Sequence, residues 1–109
     1  MKETPNLLYI IEIAGEDHDF AKRFINLLKE EFRWEVGMYL RHIDRLEPRQ
    51  AAEIVAKAKY KLSILGLQKS FDFANQYERH LRNGDTSLDE KFRKILENVN
   101  AFLMKVKSA

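Results

Sequence analysis

The chain has 109 residues, no cysteine, 19 basic and 17 acidic side chains, and a formal net charge of +2. That length fits one domain, Met1 to Ala109, and the missing thiols exclude a disulfide scaffold and a cysteine-based zinc site. The near balance of charge argues against a dedicated nucleic-acid binder, which carries a marked basic excess on one face.

Only four glycines and two prolines interrupt the sequence, and its apolar residues recur at helical spacing almost throughout. A short first helix is predicted over about Asn6 to Ala14, with Leu7, Leu8, Ile10, Ile11 and Ile13 as apolar contacts and Gly15 as its end. Asp17 is placed to cap a long second helix, about His18 to Leu46, and Asp19 favours the positive end of its dipole. The main apolar stripe of that helix is Ile25, Leu28, Phe32, Val36, Tyr39, Ile43 and Leu46. Trp34 and Met38 fall to the other side. Pro48 opens a third helix, which runs to about Leu65 and buries Ala51, Val55, Ala58, Leu62 and Leu65 before Gly66 stops it. A fourth helix, about Gln68 to Arg82, buries Phe71, Ala74, Tyr77 and Leu81, and Asn83-Gly84 marks its end. Ser87 and Glu90 have the spacing of a capping box for a fifth helix, which carries Leu88, Phe92, Ile95, Leu96, Val99, Phe102, Leu103 and Val106. Short connections make consecutive long helices antiparallel neighbours. The expected fold is an all-α, up-down four-helix bundle with the short N-terminal helix as a cap.

The sequence carries no basic-then-apolar signal pattern. Its apolar runs fall far short of the ~20 residues that a membrane-spanning helix needs. A cytoplasmic location with no membrane contact is expected. His18, His42 and His80 read as ordinary surface histidines, and their spacing does not suggest a metal site. No carboxylate dyad, nucleophile triad or glycine-rich phosphate loop is present, so neither a metal nor a cofactor is expected.

The informative stretch is Ala56-Lys57-Ala58-Lys59-Tyr60-Lys61-Leu62-Ser63-Ile64-Leu65-Gly66-Leu67. It resembles the histidine phosphotransfer family, whose pattern is His-x-x-Lys-Gly followed by five residues and a second glycine. Lys59 matches the lysine and Gly66 the second glycine, with Leu65 and Leu67 around it. The resemblance extends over nearly the whole chain. It includes the Ala14-Gly15-Glu16-Asp17 turn, the Phe20-to-Phe32 pattern and the lysine-rich third helix. Two positions depart from the family. Ala56 stands at the phosphoacceptor, and Tyr60 at the first glycine.

In that family a histidine ring nitrogen accepts a phosphoryl group from a receiver aspartyl phosphate, acting as a covalent nucleophile. A lysine three residues on shares its helix face and can donate to the phosphoryl oxygens. The resemblance therefore implies Lys59 as a phosphate-positioning residue. It also implies a receiver-docking face of Ala52, Ala56, Lys59, Tyr60 and Ser63, exposed on the third helix, and Gly66 as a structural turn. The implied partner is a response-regulator receiver domain, a hybrid histidine kinase, or both, met by a monomer. Alanine has no nucleophilic atom, so the chain as written carries no phosphate at 56 and is a binding module rather than an enzyme. Ala56 is compatible with a natural degenerate module and with an engineered His-to-Ala change; Tyr60 favours divergence, because a single knock-out does not explain it. The alternative is a helical adaptor or scaffold unrelated to phosphorelay, with a partner surface around Trp34 and Met38.

Overall fold

A helix begins where something can accept its first free backbone N–H groups, and ends where the chain can turn back on its last carbonyls. The computed structural model describes residues 3–106, so the first two and last three residues of the expected 1–109 domain lie outside the described residues. Five helices follow in chain order: α1 (Leu8–Ala14), α2 (His18–Asp44), α3 (Pro48–Ile64), α4 (Gln68–Arg82) and α5 (Asp89–Lys105). The described residues form no strand.

The starts obey local chemistry in different ways. Asn6 Oδ1 accepts from the Leu8 amide at 3.0 Å, which holds Asn6 outside α1 rather than inside it. Asp17 caps α2 by accepting from the Phe20 amide at 2.9 Å. Pro48 occupies the first turn of α3. The capping box expected at Ser87 and Glu90 does not form. The Ser87 amide instead donates to Asp85 Oδ1 at 2.8 Å, and α5 starts at Asp89 with no side-chain cap. Asp85 competes for the turn and wins because it sits closer along the chain to the amide it serves.

The ends of α2, α3 and α4 share one backbone device, a left-handed residue that folds two amides back over the last turn. Those residues are Leu46 at φ 58°, Gly66 at φ 79° and Gly84 at φ 82°. At the α3 end the Gly66 amide donates to Ser63 O and the Leu67 amide to Leu62 O. A Cβ at Gly66 would meet Asn6 Nδ2 at 2.5 Å, and the Asn6 amide donates to Leu65 O, so the N-terminal segment is laid directly across this turn. Leu46 ends the predicted helical run early, because its left-handed backbone places it outside α2.

The core is formed by the apolar stripes of all five helices, from Ile10 in α1 to Leu103 in α5. Tyr39, Tyr77 and Phe92 join α2, α4 and α5, with ring centroids between 5.0 and 6.3 Å apart. The Tyr39 hydroxyl donates to Asp89. Its single proton is then committed, so Tyr77 is the donor in the 2.6 Å Tyr77–Tyr39 hydrogen bond. Burial pushes the Tyr77 hydroxyl up to about 12 and the Tyr39 hydroxyl further upward, so both stay protonated. Arg93 closes the chain on Asp89 at 2.9 Å. The molecule measures 45 × 26 × 19 Å, and α2, about 40 Å long at ~1.5 Å per residue, matches its long axis. Among the described residues no helix is long and apolar enough to cross a membrane.

Candidate functional site

The third helix, α3, is gripped on both flanks, by α2 and by α4. Its apolar stripe Ala51, Val55, Ala58, Leu62 and Leu65 is buried. The five residues expected on its free face do not stay together. Tyr60 is 59% exposed and Ser63 is exposed, while Ala56 is half-buried. Ala52 is 0% exposed, which corrects its placement on an exposed face. With helices packed along both flanks, a side chain of one methyl lies below the level of its longer neighbours.

Lys59 is not free to wait for a phosphoryl group. Its ammonium donates to Asn75 Oδ1 at 2.7 Å and to Glu78 Oε1 at 2.9 Å, both on α4. Its side chain is only 14% exposed. The Glu78 carboxyl is pushed up by burial, but hydrogen bonds from Lys59 and Arg82 outweigh that and hold it below its usual range. The lysine that matches the family motif is thus a link between α3 and α4. Ala56 and Tyr60 line the side of α3 next to α2, and the Tyr60 ring also reaches Phe71 of α4 at 5.9 Å.

On that flank α2 and α3 enclose an open cavity of about 680 Å³. Leu27 and Trp34 of α2 and Ala56 and Tyr60 of α3 supply apolar and aromatic lining. Leu27 and Trp34 are each more than half exposed. The Lys57 ammonium lies 5.8 Å from the centre of the Trp34 ring, within cation–π range. Lys61 and Glu35 also line the cavity, and both are buried. The Lys61 ammonium reaches Glu35 Oε2 at 2.9 Å and Glu31 Oε1 at 3.0 Å. Glu35 Oε1 is buried without a hydrogen-bond partner. Burial pulls the Lys61 ammonium down, but two carboxylates around one cation more than reverse this and hold it above its ordinary value. Burial also pushes the Glu35 carboxyl up, and the nearby Glu31 charge adds to that rise.

No family model, curated protein or solved structure matches the chain. The chemistry of the site therefore rests on its own residues.

Position 56 offers no atom that can accept a phosphoryl group. His18 is exposed in the first turn of α2. His42 and His80 each bind a carboxylate in the turn that follows their helix, Glu47 at 2.8 Å and Asp85 at 2.9 Å. Among the described residues no three His, Cys, Asp or Glu side chains gather in a way that could hold a metal ion.

The buried pair Lys61–Glu35 escaped the sequence reading, yet its signal was there. Lys61 follows Ala58 and precedes Leu65 at three- and four-residue steps, and Glu35 stands between Phe32 and Tyr39 in the same way. Opposite charges at core-phase positions of consecutive helices are the mark of a pair. The role of Glu3 left no such signal. Its carboxylate accepts from the Lys69 and Ser70 amides at 2.7 and 2.8 Å and so caps α4 from far along the chain.

Proposed function

We propose that this chain is a histidine-phosphotransfer-like docking module of a cytoplasmic two-component phosphorelay. In this reading α2 to α5 form an antiparallel up-down bundle capped by α1. Its α3 surface around Ala56, Tyr60 and Ser63 engages a response-regulator receiver domain, a hybrid histidine kinase, or both, without accepting phosphate. The module acts as a monomer and uses no cofactor, nucleic acid or membrane.

The bundle arrangement is supported by paired contacts that run in opposite directions along neighbouring helices. Trp34 is near Lys57 while Glu31 reaches Lys61. Tyr39 meets Asp89 at the start of α5, while Lys29 donates to the carbonyl of Val106 beyond its end. The connections span only residues 45–47, 65–67 and 83–88, as antiparallel neighbours require.

The observation that carries the functional reading is the exposed Tyr60 and Ser63 beside Ala56, on the helix that ends in the left-handed Gly66. A phosphocarrier needs a nucleophile there and a free lysine beside it. This chain has alanine, and Lys59 is engaged with Asn75 and Glu78. A receiver would meet shape and hydrogen bonds but no acceptor, so docking would sequester or scaffold it. The exposed Trp34 beside Leu27 favours a second reading, an adaptor with no phosphorelay link.

The deciding experiment is a binding titration of the chain against a panel of receiver domains from the same organism. Binding by one or a few receivers, weakened about tenfold or more by Tyr60→Glu, is the expected result. Incubation with a labelled phospho-receiver should leave the chain unlabelled. Absence of binding across the panel sinks the phosphorelay reading and leaves the adaptor.

A further inference from the structure

A helix of seven residues has little surface to give to a core, and α1 buries one side chain completely, Ile10 at 0% exposure. Leu8, Tyr9, Ile11 and Ile13 are between 45% and 69% exposed. Nine large hydrophobic side chains are exposed among the described residues, and four of them stand on this one short helix. A chain without a partner rarely gathers exposed apolar side chains so densely. At about 100° per residue, Leu8 and Glu12 lie nearly opposite the buried Ile10. Ile11 flanks Leu8 on one side, and Tyr9 and Ile13 form a second apolar row on the other. The outer face is thus apolar with one carboxylate near its middle. Glu12 is exposed and makes no hydrogen bond or ion pair among the described residues. From Glu3 to Phe20 the sequence has five acidic side chains and no Lys or Arg, although the whole chain is +2. Glu3 and Asp17 serve as helix caps, which leaves Glu12, Glu16 and Asp19 uncommitted.

We propose that the outer face of α1 docks a basic amphipathic helix of a partner protein. Covering the apolar rows would drive the association. The same contact would bury Glu12, and an unpaired buried carboxylate is costly. The partner must therefore bring a cation into the middle of an apolar surface. A lysine or arginine does this, because its stem lies along apolar side chains while its head reaches the carboxylate. A helix is the form that fits, since the Leu8–Ile11 and Tyr9–Ile13 rows are ridges against which another helix can seat its own. A second copy of this chain fits badly. A two-fold contact would set Glu12 against its own counterpart, and the segment has no lysine or arginine to answer it. A bilayer fits no better, since its apolar interior leaves the carboxylate unmet and anionic headgroups repel it. This face lies on α1 rather than on the α3 surface assigned to a receiver, and its occupancy is independent of receiver binding.

The test uses the intact, isotope-labelled chain and three synthetic peptides of about 15 residues, long enough to form a helix. One repeats leucine and lysine at helical spacing, one replaces its lysines with glutamate, and one replaces its leucines with alanine. The expected result is saturable binding of the leucine–lysine peptide, at about tenfold or greater advantage over each of the others, with amide shifts centred on α1. Glu12→Lys changes an exposed side chain and should leave the fold intact by circular dichroism. It should lose most of that binding and turn the preference toward the leucine–glutamate peptide. Ile11→Ser should weaken the leucine–lysine peptide about tenfold and leave the charge preference unchanged. Equal binding of the alanine–lysine peptide would overturn the proposal and leave a diffuse electrostatic attraction. Equal binding of the leucine–glutamate peptide would overturn it and leave an unselective apolar face. Shifts centred on α3, or binding indifferent to Glu12→Lys, would overturn the assignment to α1. Dimerisation of the free chain that Ile11→Ser abolishes would overturn it in favour of a second copy. No binding of the leucine–lysine peptide up to about 1 mM would overturn it outright.

Discussion

Leu46 and Gly66 do the same backbone work with opposite suitability. Both stand in the left-handed region at the end of a helix, where glycine has no Cβ to crowd the carbonyl. Leu46 is also 86% exposed, so its side chain gains little from packing. Leu46→Gly should therefore stabilise the fold by about 1 kcal/mol, read as a higher urea midpoint at unchanged slope. Gly66→Ala should act in the other direction. It adds left-handed strain of about 1 kcal/mol and drives a methyl against Asn6, 2.5 Å away. A loss no larger than the strain alone would mean that the Asn6 side chain yields freely. At Lys61 the decisive quantity is charge. Lys61→Met leaves Glu35 buried with no counter-ion, and such a loss costs about 3 kcal/mol near neutral pH. Because burial raises the Glu35 carboxyl in the folded chain, stability is lost as pH rises through that raised value and regained below it. The penalty of Lys61→Met should therefore shrink on going to about pH 4. The double change with Glu35→Leu should recover most of it near neutral pH. A pH-independent penalty would count against the pair.

At the scale of elements, the ends of helices were legible only where the chemistry is local. Asp17 lies beside the amide it serves, Pro48 fits a first turn by its own geometry, and Gly66 and Gly84 mark turns by their freedom. The cap of α4 is not local. Leu67 offers no side-chain acceptor, and Glu3 supplies one from the N-terminal segment, which also crosses the α3–α4 turn through Asn6. No pattern within α4 could reveal that partner. Burial pushes the Glu3 carboxyl up, but the Lys69 and Ser70 amides and the Ser70 hydroxyl outweigh it and leave it below its ordinary value. The sign follows: the cap contributes fully above the unfolded-state value of 4.5 and is lost as pH falls through the lower folded value. Glu3→Ala should destabilise by about 1 kcal/mol near neutral pH and by less in acid. Amide exchange would show the loss first at Lys69 and Ser70. Protection there unchanged by Glu3→Ala would show that the segment is not a cap.

For the molecule as a whole, the helical periodicity gave the five elements and most of their buried stripes, although Leu46 of α2's expected stripe and Leu8, Ile11 and Ile13 of α1 are exposed and Phe71 is only half-buried. It did not give which flanks of α3 remain free. That depends on how closely α2 and α4 stand beside it, which no residue of α3 records. Ala52 and Lys59 were misjudged for this reason, whereas Tyr60 is too large to be covered. The same geometry sets the conditions for restoring phosphotransfer, if the docking reading holds. Ala56→His would place an imidazole on the side of α3 that faces α2, while Lys59 remains turned to Asn75 and Glu78. The transferred phosphoryl group needs its negative charge met, and a lysine already paired meets it poorly. Ala56→His alone should therefore accept label slowly from a cognate phospho-receiver. Adding Glu78→Gln removes the competing carboxylate and should speed the transfer, and Lys59→Ala in the same background should slow it again. Tyr60→Gly clears the ring beside the new imidazole at a cost of about 1 kcal/mol in helix stability, so its effect on rate is read against folded protein only. Label that is acid-labile and confined to residue 56 is the expected outcome. Label on His18, His42 or His80 instead would move the site. No label in any folded variant that still binds the receiver would make docking without transfer the permanent property of this surface.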